Sequence, residues 1–145
     1  MERIKIKLPE HFAFAASIAI RVTDLNYGGH VGNDGFLTLV HEARQQYLVH
    51  HGLTEMGFEG ASLIITDAVI EFKRELNYGD NIKIHVVANG FEKYGFDIFY
   101  KIEIIKSNET ILAGKAKTGL FCYDYANKKL VPVPEKAKEK LNTGL

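Results

Sequence analysis

The chain has 145 residues, 46% hydrophobic and 25% charged, which fits one folded domain with a sizeable core and excludes a disordered chain. Eighteen basic residues balance eighteen acidic ones, so no long-range field draws the protein to nucleic acid or to an anionic membrane. The single cysteine, Cys122, excludes an internal disulfide and a cysteine-based zinc site, and no apolar run reaches the roughly 18 residues of a membrane span.

The N-terminal MERIKIKLPEHF has no continuous apolar core of the signal-peptide kind, so the expectation is a cytoplasmic protein folded as one domain over residues 1–145. The first strand is expected over residues 12–23, FAFAASIAIRVT, where small and β-branched residues dominate. It runs into VTDLNYGGHVGNDGF, residues 22–36, which crowds hydrogen-bonding side chains around four glycines. A helix follows, with Asn33 or Asp34 suited to cap its first turn. Phe36, Leu39, Val40, Ala43 and Tyr47 recur at helical spacing, and Gly52 closes the helix after His50 and His51.

Strands are expected next. LIITDAVIEFKRE, residues 63–75, is apolar and then alternating, and NYGD at 77–80 is a turn. DNIKIHVVANGFE and YGFDIFYKIEIIK alternate with period two, SNET is a hairpin turn, and TILAGKAKTGLFCYD is the last strand. Cys122 falls in that last run and reads as a buried strand thiol rather than a nucleophile. The tail VPVPEKAKEKL starts extended, with room for a short helix at its end. Three of the last four strands are joined by short turns, which predicts an antiparallel meander. A single long helix covers such a sheet only if it lies across it and the sheet curls round. The order therefore predicts an α+β hot-dog fold, five antiparallel strands wrapped around one central helix; a cystatin-like curved sheet shares that order.

The stretch at 22–36 has two readings. Asp24 and Asn26 can close Asx turns while Gly28 and Gly29 supply positive φ angles. Alternatively, a glycine loop entering a helix N-terminus presents unpaired N–H groups, with Asn26 and His30 able to orient water or donate to an oxyanion. Acyl transfer to water uses those parts.

DLNYGGHVGNDGF, followed by LTLVHEARQQYL and later by FKRELNYGD, resembles the 4-hydroxybenzoyl-CoA thioesterase-like hot-dog family, and plant acyl-ACP thioesterases carry a related run. The resemblance covers nearly the whole chain. It implies an acyl-CoA thioesterase, or one acting on acyl-ACP, that hydrolyses the thioester by water attack with an oxyanion hole at the helix N-terminus. The second Asp of the family's Asp-x-Asp falls on Asn26, which cannot serve as a base and can only orient. The oxyanion donor falls on the Asn33 amide or its neighbour, and His30 matches the histidine of the plant motif. The acidic helix position falls on His41, with Glu42 beside it; only one of the two can face the site, and Asp67 is a third candidate base. Phe36 and Tyr47 are candidates for the acyl tunnel as well as for the core. The resemblance implies no metal and no redox cofactor, and a homodimer or homotetramer with substrate sites between subunits. The missing Asp keeps open an alternative, a non-catalytic acyl-CoA binding module; a hydratase would need an Asp-His pair in a hydratase motif, and no such motif is found in the sequence.

Overall fold

The computed structural model describes residues 1–142; the last three residues of the expected domain 1–145 lie outside them. The helix-forming stripe does what its spacing requires. Helix α1 spans Asn33–His50 and buries Phe36, Leu39, Val40, Ala43, Tyr47 and Leu48 on one face. Phe36 and Tyr47 are both core residues, and the Tyr47 hydroxyl accepts the Ala88 N–H at 3.1 Å. Full burial of side chains of this size contributes about 1.5–3 kcal/mol each.

The helix lies in the concave face of a curled antiparallel sheet built from β1 (Phe14–Ala19), β2 (Ser62–Phe72), β3 (Asn81–Asn89), β4 (Gly95–Lys106) and β5 (Glu109–Asp124), with a two-residue β6 (Lys129–Leu130) beside β5. This is the hot-dog arrangement, with one short strand more than the five expected. The inward positions of the alternating runs fill the core: Ile82, Ile84 and Val86 from β3, and Phe96, Ile98, Tyr100 and Ile102 from β4. Gly95 is required where β4 meets β5, because a Cβ there would stand 2.3 Å from the Leu120 carbonyl oxygen. Cys122 is fully buried, and loss of solvation pushes its thiol up to about 11, so it stays protonated and inert. The tail ends in α2, Glu135–Asn142, which buries Ala137 and Leu141.

The strand order is β1-β3-β4-β5-β2. Only β3, β4 and β5 form the meander. β2 pairs with β5 at one edge, so the chain from its end to β3 crosses past β5 and β4. That crossing passes the start of α1, where fully buried Leu76 accepts the Val31 N–H at 3.0 Å and His30 bridges to Asn77. The apolar run of β2 is an edge strand rather than a buried one, with Ile65 44% and Phe72 49% exposed.

Three local expectations are corrected. The first strand is shorter than 12–23, because residues Val22–Asp24 turn into a 3-10 helix where Arg21 bonds Asp24. The second strand ends at Phe72 rather than 75. The cap of α1 is Gly32, with no side-chain cap bond; Asn33 and Asp34 are already helical.

Candidate active site at the start of α1

The loop before α1 is a small closed turn. Leu25 bridges to Val31, the Asn26 N–H donates to the His30 carbonyl at 3.0 Å, and the Gly29 N–H donates to the Asn26 carbonyl at 3.1 Å. Gly29 has φ +84°, a left-handed angle that favours glycine. Inside the turn, Asn26 Oδ1 accepts the Gly28 N–H at 2.8 Å. This Asx bond fixes the amide's orientation, because the atom facing a backbone N–H must be the oxygen. The Nδ2 end is thereby turned toward Gly32 at the start of the helix; a Cβ on Gly32 would stand 2.9 Å from it.

Next to Nδ2 are the helix's own donors. The first intrahelical bond of α1 runs from the Phe36 N–H to the Gly32 carbonyl, so the N–H groups of Asn33, Asp34 and Gly35 precede the ladder at the positive end of the helix dipole. The His30 ring packs against Gly28, is 40% exposed, and lies 4.0 Å from the Glu75 carboxylate, beyond hydrogen-bond reach. Asp24 is committed elsewhere: burial pushes its carboxyl up, but hydrogen bonds from the Arg21 side chain and backbone outweigh that and hold it below its usual range. Asn26, His30 and the Asn33 amide are thus brought together as a cluster, with the Asp34 carboxylate beside Gly32 at its edge. Its chemistry is donation, suited to a carbonyl oxygen or an oxyanion.

His41 and Glu42 stand two turns further on and face different grooves, since adjacent helical positions point about 100° apart. Glu42 faces β1, with Arg21, Asp24 and Gln46 around one cavity, and accepts from the Gln46 amide at 2.8 Å. His41 faces β2, in a groove of about 260 Å³ lined by Leu37, Thr38, Arg44, Ile65, Ala68 and Thr118. Asp67 is in neither place. It sits at a bulge of β2, accepts the Gly119 N–H at 3.0 Å and the Lys117 ammonium at 2.9 Å, and the latter bond holds its carboxyl below the usual range.

The His41 groove contains a network absent from the sequence expectations. The Arg44 Nε–H donates to Glu55 Oε1 at 2.7 Å, and its other arm donates to the Tyr100 hydroxyl at 3.3 Å. That hydroxyl is 2.7 Å from Thr118 Oγ1. Burial pushes the Arg44 guanidinium down, but Tyr100 and Glu55 more than restore it, while burial raises the Tyr100 phenol. The sequence reasoning missed Arg44. The signal that could have found it is its place four residues after Val40 and four before Leu48, in the buried stripe, where a charge demands a partner. Among the described residues no group of three or more His, Cys, Asp or Glu side chains is placed to hold a metal ion.

The profile of the thioesterase-like superfamily matches residues 20–141. A 1,4-dihydroxy-2-naphthoyl-CoA hydrolase of Microcystis aeruginosa is 31% identical over 125 residues, covering 84% of this chain and 88% of that protein. Among solved structures, a 1,4-dihydroxy-2-naphthoyl-CoA thioesterase from Synechocystis superposes with a TM-score of 0.77 at 21% identity, over 88% of this chain and 94% of that one. A mutant of 4-hydroxybenzoyl-CoA thioesterase, complexed with 4-hydroxybenzoyl-CoA, superposes with a TM-score of 0.79 at 16% identity, over 88% and 97%. At those identities the structural matches establish the fold. No helix among the described residues is long and apolar enough to cross a membrane. The chain belongs to the thioesterase-like superfamily.

Proposed function

We propose that this thioester hydrolase acts on an acyl-CoA, by attack of water on a thioester carbonyl held at the start of α1. The observation that carries the reading is the Asx bond: with Oδ1 engaged by the Gly28 N–H, the Nδ2 donors of Asn26 are turned toward the start of α1. Asn26 Nδ2 and the Asn33-side amide then hold the carbonyl oxygen and stabilise the charge it gains in the tetrahedral intermediate. Donors fixed in advance are worth about 10²–10³ in rate each. His30, beside them, orients the thioester.

Water needs a base, and Asn26 cannot be one. His41 fills that role, taking a proton from water and returning it to the departing CoA thiolate, so that acid and CoA leave and the imidazole is regenerated. Along one helix His41 lies eight residues beyond Asn33, or about 12 Å, too far for one water molecule to bridge. The reading therefore requires two copies, one presenting Asn26 and the Asn33 amide, the other His41. The free β2 edge, with exposed Ile65 and Phe72, is where the second copy pairs. Glu42, turned to the other side and bonded to Gln46, takes no part.

The test is thiol release from a panel of acyl-CoAs, short, long and aromatic, with 1,4-dihydroxy-2-naphthoyl-CoA included because the Microcystis relative hydrolyses it. Asn26→Ala and His41→Ala are each expected to lose most turnover. Mixed and reassociated, they are expected to regain part of it, since a mixed dimer holds one intact site. A mixture no better than its components would place both groups in one chain and sink the shared site. Tight acyl-CoA binding without release from any member would leave only a binding module.

A further inference from the structure

We infer that Glu55 is the positioning residue of His41, with Arg44, Tyr100 and Thr118 as the buried chain that holds it in place. The inference rests on the proposed role of His41 and extends it to residues with no assigned part in the reaction.

Glu55 lies in the loop between α1 and β2, and its backbone is pinned there because its carbonyl accepts the Leu63 N–H at 2.7 Å. Its carboxylate is pinned as well, by the 2.7 Å bond from Arg44, whose side chain is only 7% exposed. Arg44 is in turn fixed by Tyr100, and Tyr100 by Thr118. If this chain served only to satisfy Arg44, it would end at the Arg44–Glu55 pair. Instead His41 Nε2 faces that same Oε1 atom at 3.6 Å. The distance is that of an ion pair rather than a hydrogen bond, and contacts of this kind commonly tighten when substrate binds.

The geometry has a chemical consequence. With Nε2 turned to Glu55, the Nε2–H tautomer is favoured and Nδ1 carries the lone pair that receives the water proton. As His41 becomes positive, the fixed carboxylate stabilises it, and no rearrangement is needed because Arg44 already holds Glu55 in place. Glu55 and Arg44 are the charged groups facing His41. The rest of the groove is Leu37, Thr38, Val40, Ile65, Ala68 and Thr118, from α1, β2 and β5, with no titratable side chain among them.

The experiment is a double-mutant cycle on the full-length protein, read by steady-state thiol release and by the ¹⁵N NMR signals of the His41 ring. Glu55→Gln keeps an oxygen for Arg44, so the fold survives; a thermal melt verifies that. In the wild-type background we expect kcat to fall about 10- to 100-fold with KM unchanged. In a His41→Ala background the same substitution is expected to cost less than about 2-fold, because nothing remains to be positioned. Glu55→Asp, which keeps the charge, is expected to recover part of kcat. In the NMR spectrum the Nε2–H tautomer, dominant in wild type, is expected to give way to a mixture in Glu55→Gln. An equal loss in both backgrounds, or an unchanged tautomer, would overturn the inference. Unimpaired turnover in His41→Ala would overturn it together with His41 as base. If wild type releases no thiol while the tautomer still changes, the pairing stands and only the hydrolase reading fails.

Discussion

The two ends of the proposed chemistry are built in opposite ways. At the start of α1, the donors are backbone amides and one side chain held by a bond two residues long, Asn26 to Gly28, at the surface. In the groove two turns on, His41 leans on a network that joins Arg44 to Tyr100 across 56 residues of sequence and is buried. The first region can lose its chemistry and keep its fold. In the second, removing Arg44 leaves its partners Glu55 and Tyr100 without their donor, so function and stability are entangled there.

Arg44→Met tests the entangled side and carries the largest expected effect. It strips a charge partner from half-buried Glu55 and a donor from Tyr100, so about 3–5 kcal/mol of folding stability should disappear in urea melts. A loss under 1 kcal/mol would show that the network is not what braces this face. Asn26→Ala tests the separable side. Removing one oxyanion donor should lower kcat by about 10²–10³ while the melting temperature moves little; a variant that unfolds instead would erase the contrast. Gly32→Ala is a finer probe. Gly32 has an ordinary φ of −78°, so alanine meets no backbone strain, but its Cβ would press on Asn26 Nδ2 and on Asp34 Oδ1 at 2.8 Å. Both are flexible ends that can move aside. Stability should change by no more than about 0.5 kcal/mol, while kcat falls roughly tenfold as Asn26 is displaced.

The smallest effect is expected at Asp67, a control outside both regions. Its carboxyl is depressed chiefly by the Lys117 hydrogen bond, but it is 57% exposed, so solvent screening limits the pair to about 0.5 kcal/mol. Because the folded value lies below the ordinary 3.8, that contribution is complete above the ordinary value and fades as pH falls through the folded one. Urea melts of Asp67→Asn and wild type should therefore differ slightly at pH 7 and converge in acid, with thiol release unaffected throughout.

Much of this was legible beforehand. The stripe from Phe36 to Tyr47 identified α1 and its buried face, the alternating runs identified β3 to β5, and the Asn-Gly-rich stretch marked the loop that became the donor cluster. The cap was misplaced because Asn33 and Asp34 have the chemistry of caps, while Gly32 takes the position with an extended backbone and no side chain. β2 reads as a buried strand because its residues are apolar, and residue type alone does not separate a central strand from an edge awaiting a partner. Arg44 was not singled out, because it stands among polar neighbours on the helix and only the structure shows it buried.

What the sequence determined by itself was local: helical and strand periods, turns that need glycine, and an amide whose partner is two residues away. These follow from interactions that reach only a few residues along the chain. The tertiary structure alone decided that β2 crosses to the far edge, that Leu76 props the loop, and that Glu55, Tyr100 and Thr118 converge beside His41. Those choices depend on which surfaces are buried against which, and the curl of the sheet around α1 brings together side chains that the chain itself keeps far apart.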